Sequence, residues 1–294
     1  MLRSAYLRDR LGAEVRLKNE SVQKTGSFKP RGAVNRILSM SPEERARGIV
    51  TVSAGNHAAA AAYACRTQGI PCTVVMPQTA PEVKIDATRG YGATVVLHDD
   101  MRSLFARCEE VREEQQATFL HPFDDPAVIA GTGTAGLEIH EDFPEVDTVV
   151  VCVGGGGLIS GVARAIKRLK PGTRVVGVEP VGAPTMTEAL SRGEPYKLPK
   201  IESIADGLSA PFAGQHNLDV VREDVDEVVL VTDAEILEAV LVLMSRVKVV
   251  AEPAGAAALA SLLSGKVRID EGSNVCATVS GGNLDPHLLA AWLG

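Results

Sequence analysis

The feature that most limits the fold is a recurrence of short, continuous β-branched runs. Each is separated from the next by a longer stretch rich in Ala, Leu, Glu and Arg. The runs are Gly48–Val52, Thr73–Met76, Thr94–Leu97, Thr148–Val153, Arg174–Val178, Glu227–Val231 and Asn274–Val279. Several are apolar at successive positions and do not alternate, the pattern of strands buried on both faces of a parallel sheet. The intervening stretches predict helices over Ala33–Leu38, Ala58–Thr67, Pro81–Arg89, Arg102–Glu114, Thr134–Asp142, Ile159–Arg168, Asp233–Val247 and Gly255–Leu263. Asp233 and Glu235 place negative charge at a helix start, where the helix dipole favours it. The rhythm predicts an open α/β architecture with right-handed crossovers. Ser191–Ser203, with Gly193, Pro195 and Pro199, is the most loop-like stretch, a surface excursion or a gate.

Composition narrows the function classes. Of 294 residues, 45% are apolar and 23% charged, so the core is sizeable and one large or two ordinary domains are expected. A net charge of −7 argues against a broad nucleic-acid or anionic-membrane footprint. The first residues lack an apolar signal core, and no run reaches the length of a membrane span. The five cysteines are odd in number, scattered and without CxxC spacing, as expected of reduced, mostly buried thiols in a cytoplasmic protein.

Glycine-bearing turns follow three of the predicted strands: Ser53-Ala54-Gly55-Asn56-His57, Gly154-Gly155-Gly156-Gly157 and Ser280-Gly281-Gly282-Asn283. In open α/β sheets, ligands bind beyond the carboxyl ends of strands. Together with Lys29 these loops look like parts of one cleft. Four glycines before a helix let successive N–H groups converge on an anion, and a phosphate is the natural guest. A tight strand–helix packing turn is the plainer alternative. A dinucleotide fingerprint fails in register, because Leu158 stands where its second Gly belongs, and the P-loop pattern is absent. Ser53, Asn56 and the N–H groups around Gly55 suit a carboxylate, and equally suit a helix cap. His57 is read first as structural and second as a general base. Lys29, set in Ser27-Phe28-Lys29-Pro30-Arg31-Gly32, is the sharpest single residue: a desolvated lysine becomes a nucleophile able to form a Schiff base. Arg31 is read as a solvated charge or a structural ion pair.

On these residues, and on QKTGSFKPRGA, SAGNHA, PQTAPEVK, YGATVVLH, HPFDDPAVIAGTGT, VGGGGLISG, ADGL, EPAGAA and SGGN, the chain resembles the fold-type II pyridoxal-phosphate enzymes. Within that group it is similar to the serine/threonine dehydratase and serine racemase family. The resemblance implies two open, twisted, mostly parallel sheets flanked by helices, as in tryptophan synthase β. It implies a large cofactor-binding domain at 1–39 and 126–294, and a small domain at 40–125 that closes over the substrate. It implies that Lys29 holds pyridoxal 5'-phosphate as a Schiff base and that Phe28 lies against the ring. Asn56 would bond the ring's phenolic oxygen. Gly154, Gly155, Gly156, Gly157 and Leu158 would cradle the phosphate, and Ser280 would face the pyridine nitrogen. Ser53, Ala54, Gly55, Asn56 and His57 would bind the carboxylate of a small amino-acid substrate. The implied reaction is β-elimination of L-threonine or L-serine, with freed Lys29 as base and the phosphate as acid for the departing hydroxide, giving a 2-keto acid and ammonia. A homodimer is implied by family alone.

Departures from the family pattern shape the expectation. Ala54 replaces the second serine that racemases use as an acid, and alanine cannot transfer a proton. Of the family's divalent-metal ligands, Glu179 and Ala183 match as weak candidates, but Thr185 stands in place of an Asp, so no strong metal site is expected. Ala59 and Gly131-Thr132-Gly133-Thr134 differ from the usual residues and could reshape the pocket. The chain starts where the family has a helix and a Thr-Pro-Leu segment already behind it, and no regulatory domain follows Gly294, which suggests a short catabolic-type enzyme. The alternatives are racemisation, elimination on another β-substituted amino acid such as hydroxyaspartate, and a non-catalytic amino-acid sensor.

Overall fold

The computed structural model describes residues 1–100 and 103–293. Arg102, the predicted start of one helix, lies outside the described residues. In chain order, the elements begin with β1 (Leu2–Arg3), α1 (Ala5–Leu11), β2 (Glu14–Asn19), α2 (Lys29–Ser39), α3 (Pro42–Ala46), β3 (Ile49–Val52), α4 (Asn56–Thr67) and β4 (Cys72–Pro77). Next come α5 (Glu82–Gly90), β5 (Thr94–His98), α6 (Leu104–Gln115), β6 (Thr118–Phe119), α7 (Pro126–Asp142), β7 (Thr148–Cys152) and α8 (Gly157–Leu169). The rest are β8 (Arg174–Pro180), α9 (Thr185–Arg192), α10 (Gln215–Asp224), β9 (Glu227–Val231), α11 (Asp233–Val242), α12 (Pro253–Leu263), β10 (Asn274–Val279) and α13 (Pro286–Leu293).

The chain divides into two compact units. One comprises Met1–Val22, Gly26–Phe28 and Thr132 onward; the other comprises Gln23–Thr25 and Lys29–Gly131. The first holds a six-stranded sheet in the order β1-β2-β10-β7-β8-β9. All its pairings are parallel except β1 with β2. Val149 and Val151 of β7, Ile159 and Ile166 of α8 and the alanines of α12 share its core. Pro253–Leu262 of α12 is buried throughout, as expected of a helix that is apolar on every side.

The second unit holds a four-stranded parallel sheet in the order β5-β4-β3-β6. Ala33 and Ile37 of α2 are buried with Ala58, Ala61, Leu120 and Val128 in one apolar cluster. That packing puts residues 29–39 and 126–131 in the smaller unit, whereas the sequence reading drew the small domain at 40–125.

Candidate active site

In the larger unit, β7 leads through Val153 into the tetraglycine turn, and α8 begins at Gly157. Gly156 has φ +99°, and a Cβ there would stand 2.7 Å from Asn217 Cβ and 2.8 Å from Met186 Cε. Only glycine fits this turn. A Cβ on Gly154 would meet the backbone of Leu208 at 3.0 Å. The start of α8 has no side-chain cap, so the turn's N–H groups are not spent on one. Gly214 N donates to Gly155 O at 3.2 Å, and Thr132 Oγ1 donates to Gly157 O at 2.7 Å. Thr132 belongs to the motif flagged as divergent, and it supports the loop from behind.

Ser280 directly follows β10 and is buried. Its hydroxyl reaches Ala254 O at 3.5 Å, and its carbonyl accepts from Phe28 N at 3.0 Å. Gly255 packs so tightly on Gly281 that a Cβ would lie 2.2 Å from the Gly281 carbonyl. Gly207 is similarly pressed on Ala254, at 2.9 Å. Thus the ADGL, EPAGAA and SGGN stretches meet beside the tetraglycine turn, which Leu208 touches. Burial pushes the Cys152 thiol, at the end of β7, up to about 11. It is a buried, neutral thiol that the sequence reading did not single out.

Lys29 and the Ser53–His57 loop lie in the smaller unit. Lys29 opens α2, is half-buried, and donates from Nζ to Pro122 O at 2.9 Å. Pro122 belongs to a turn in which His121 Nδ1 accepts from Phe123 N and Asp124 N, at 3.2 and 2.7 Å. The Ser53 hydroxyl accepts from Gly55 N at 3.1 Å and so shapes its own loop; it does not cap α4, whose start carries no side-chain cap. Ala54 is exposed. Asn56 is the first residue of α4, and Lys84 Nζ sits 3.4 Å from where a Cβ on Gly55 would be. His57 is buried, with Nε2 2.9 Å from Thr51 Oγ1. Burial, then the charges of Lys29 and His121, hold its pKa well below the usual histidine value, so it is neutral.

The weak cation candidates are already engaged. Glu179 accepts from Met186 N at 2.6 Å, Thr187 N at 2.9 Å and Thr187 Oγ1 at 2.7 Å. Ala183 O accepts from Thr185 N at 2.9 Å. Burial pushes the Glu179 carboxyl up to about 7. Among the described residues no group of three or more His, Cys, Asp or Glu side chains is placed to hold a metal ion.

Comparison with known proteins gives consistent matches. Residues 1–281 match the family described as pyridoxal-phosphate dependent enzyme. The chain is 46% identical over 288 residues to an L-threonine ammonia-lyase of Thermotoga maritima, covering 97% of this chain and 71% of that protein. It is 44% identical over 287 residues to the catabolic L-threonine dehydratase of Escherichia coli (strain K12), covering 97% and 87%. The solved structure of maize serine racemase superposes with a TM-score of 0.94 at 38% identity, over 99% of this chain and 90% of that one.

Proposed function

This chain belongs to the pyridoxal-phosphate-dependent enzymes, and from that premise we propose that it is an ammonia-lyase that eliminates water from L-threonine or L-serine. Its relatives' names supply the substrate class. The observation that carries elimination over racemisation is Ala54: it is exposed in the Ser53–His57 loop, and its methyl group can neither give nor take a proton.

When bound, pyridoxal phosphate supplies an electron sink for the α-carbon of the amino acid. The chain's residues fit the group. Gly154–Leu158 form a turn that no Cβ could enter at Gly156, with the uncapped start of α8 beside it, suited to a phosphate. Lys29 would offer the amine that anchors the cofactor, and the same amine would serve as general base for the α-proton. With the cofactor bound, Phe28 would lie along the ring, Asn56 would bond its phenolic oxygen, and Ser280 would offer the pyridine nitrogen a neutral hydroxyl. The N–H groups of residues 53–57 and the Ser53 hydroxyl bind the substrate carboxylate. His57 is a poor base, because burial and the charges of Lys29 and His121 disfavour its protonated form and its Nε2 is engaged with Thr51. The released enamine hydrolyses to a 2-keto acid and ammonia.

Among the described residues, no helix is long and apolar enough to cross a membrane. The five free cysteines are all buried, which suits a reducing compartment, and the reading includes a cytoplasmic homodimer. The test is to follow L-threonine, L-serine and L-serine's D-enantiomer together, by keto-acid assay and chiral separation. Keto acid from an L-substrate without interconversion of the serine enantiomers is the expected result. Interconversion without keto acid would replace the dehydratase reading with a racemase.

A further inference from the structure

Glu179 is fully buried and takes no part in the proposed chemistry. A buried carboxylate is costly unless donors or charge compensate for its lost water. Here the donors are the first-turn groups of α9. The place of Glu179 in the sheet gives that arrangement a consequence. Cys152 pairs with Val178, and Val153 N donates to Val178 O at 2.8 Å, so Glu179 follows the strand position beside the exit of β7 into Gly154. Met186, whose N–H the carboxylate holds, carries the methyl that fills the space beside Gly156. One carboxylate thus fixes the first turn of α9, and that turn braces the bend of the glycine loop.

We propose that Glu179 is a positioning residue for the glycine loop: by gripping the first turn of α9 it holds Met186 against Gly156 and keeps the loop shaped for a phosphate. The carboxylate's partner is the helix turn and not a divalent cation. The proposal rests on reading Gly154–Leu158 as the phosphate loop.

The test compares dissociation constants for pyridoxal phosphate and for pyridoxal, which lacks the phosphate, by equilibrium dialysis of the full-length protein. Wild type, Glu179→Gln, Glu179→Ala and Met186→Ala are each measured with chelator and with Mg²⁺. Glu179→Ala and Met186→Ala should weaken pyridoxal phosphate by about tenfold or more and change pyridoxal by less than about twofold. Glu179→Gln, which keeps one acceptor oxygen, should fall between. Chelator and Mg²⁺ should leave the wild type unchanged. Equal weakening of both ligands, or none, would overturn the proposal, as would tighter binding of pyridoxal phosphate in Mg²⁺. If the Glu179 variants do not fold, Met186→Ala decides alone. A wild type that binds both ligands equally would instead remove the phosphate-loop reading on which the proposal stands.

Discussion

Thr51 has one hydroxyl hydrogen, and it goes to Leu120 O at 2.7 Å; the contact with His57 Nε2 therefore requires the hydrogen to sit on the imidazole. This fixes the His57 tautomer, with the hydrogen on Nε2. The folded protein disfavours its protonation, so its contribution to stability is complete above the unfolded value of about 6.5 and is lost as pH falls below it. His57→Gln should flatten the loss of unfolding free energy on the acid side of about pH 6.5, measured by denaturant titration across pH. An unchanged slope would assign that loss to other groups. Lys29→Ala should lower turnover by about 10²-fold or more, since it removes both the anchor and the base. Lys29, Asn56 and Ser280 stand out in the sequence because each sits in a short motif. The Pro122 carbonyl that receives the Lys29 amine does not, because a backbone acceptor has no residue-type signature.

Buried charge hid one strand from the sequence reading. β2, Glu14–Asn19, carries Arg16 and Lys18 and so looks like a surface segment, yet both are buried. Arg16 is matched by Glu14 and Glu145 at 3.2 and 3.1 Å and lies 3.7 Å over the Phe143 ring, while Lys18 is held by Glu138. The strands of continuous Val and Ile were legible because nothing else suits that pattern. α7 starts at Pro126, well before the predicted Thr134, because its glycines give close approach: a Cβ on Gly131 would lie 2.3 Å from Arg31 O. The predicted helix Asp233–Val247 widens into a π-turn at Leu243–Val247, ended by Lys248 at φ +66°. Its acidic start proves to be a capping box, with Glu235 accepting from Thr232 N at 2.7 Å. Thr232→Ala should cost about 1 kcal/mol of stability by chemical denaturation. Gly156→Ala should cost about 1–3 kcal/mol from its backbone conformation, with displacement of Met186 and Asn217 adding to that. A neutral Gly156→Ala would mean that the loop relaxes freely.

At the scale of the molecule, the α/β class and the family were legible because the motifs keep their order along nearly the whole chain. The limits of the compact units were less so, since they follow the packing of α2 on α4 and not any change in composition. A cofactor that binds only the native chain should stabilise it by mass action. Removing the cofactor should reduce unfolding free energy by about 2.7 kcal/mol relative to protein held at 100 times the dissociation constant. Equal melting of the two forms would contradict cofactor binding to the native chain. The most direct test of the central claim is the visible absorption spectrum of the purified protein before and after addition of L-threonine or L-serine, with 2-keto acid assayed in the same cuvette. The account predicts a cofactor band that shifts as keto acid accumulates. A cofactor band that shifts with both amino acids while no keto acid forms would contradict it.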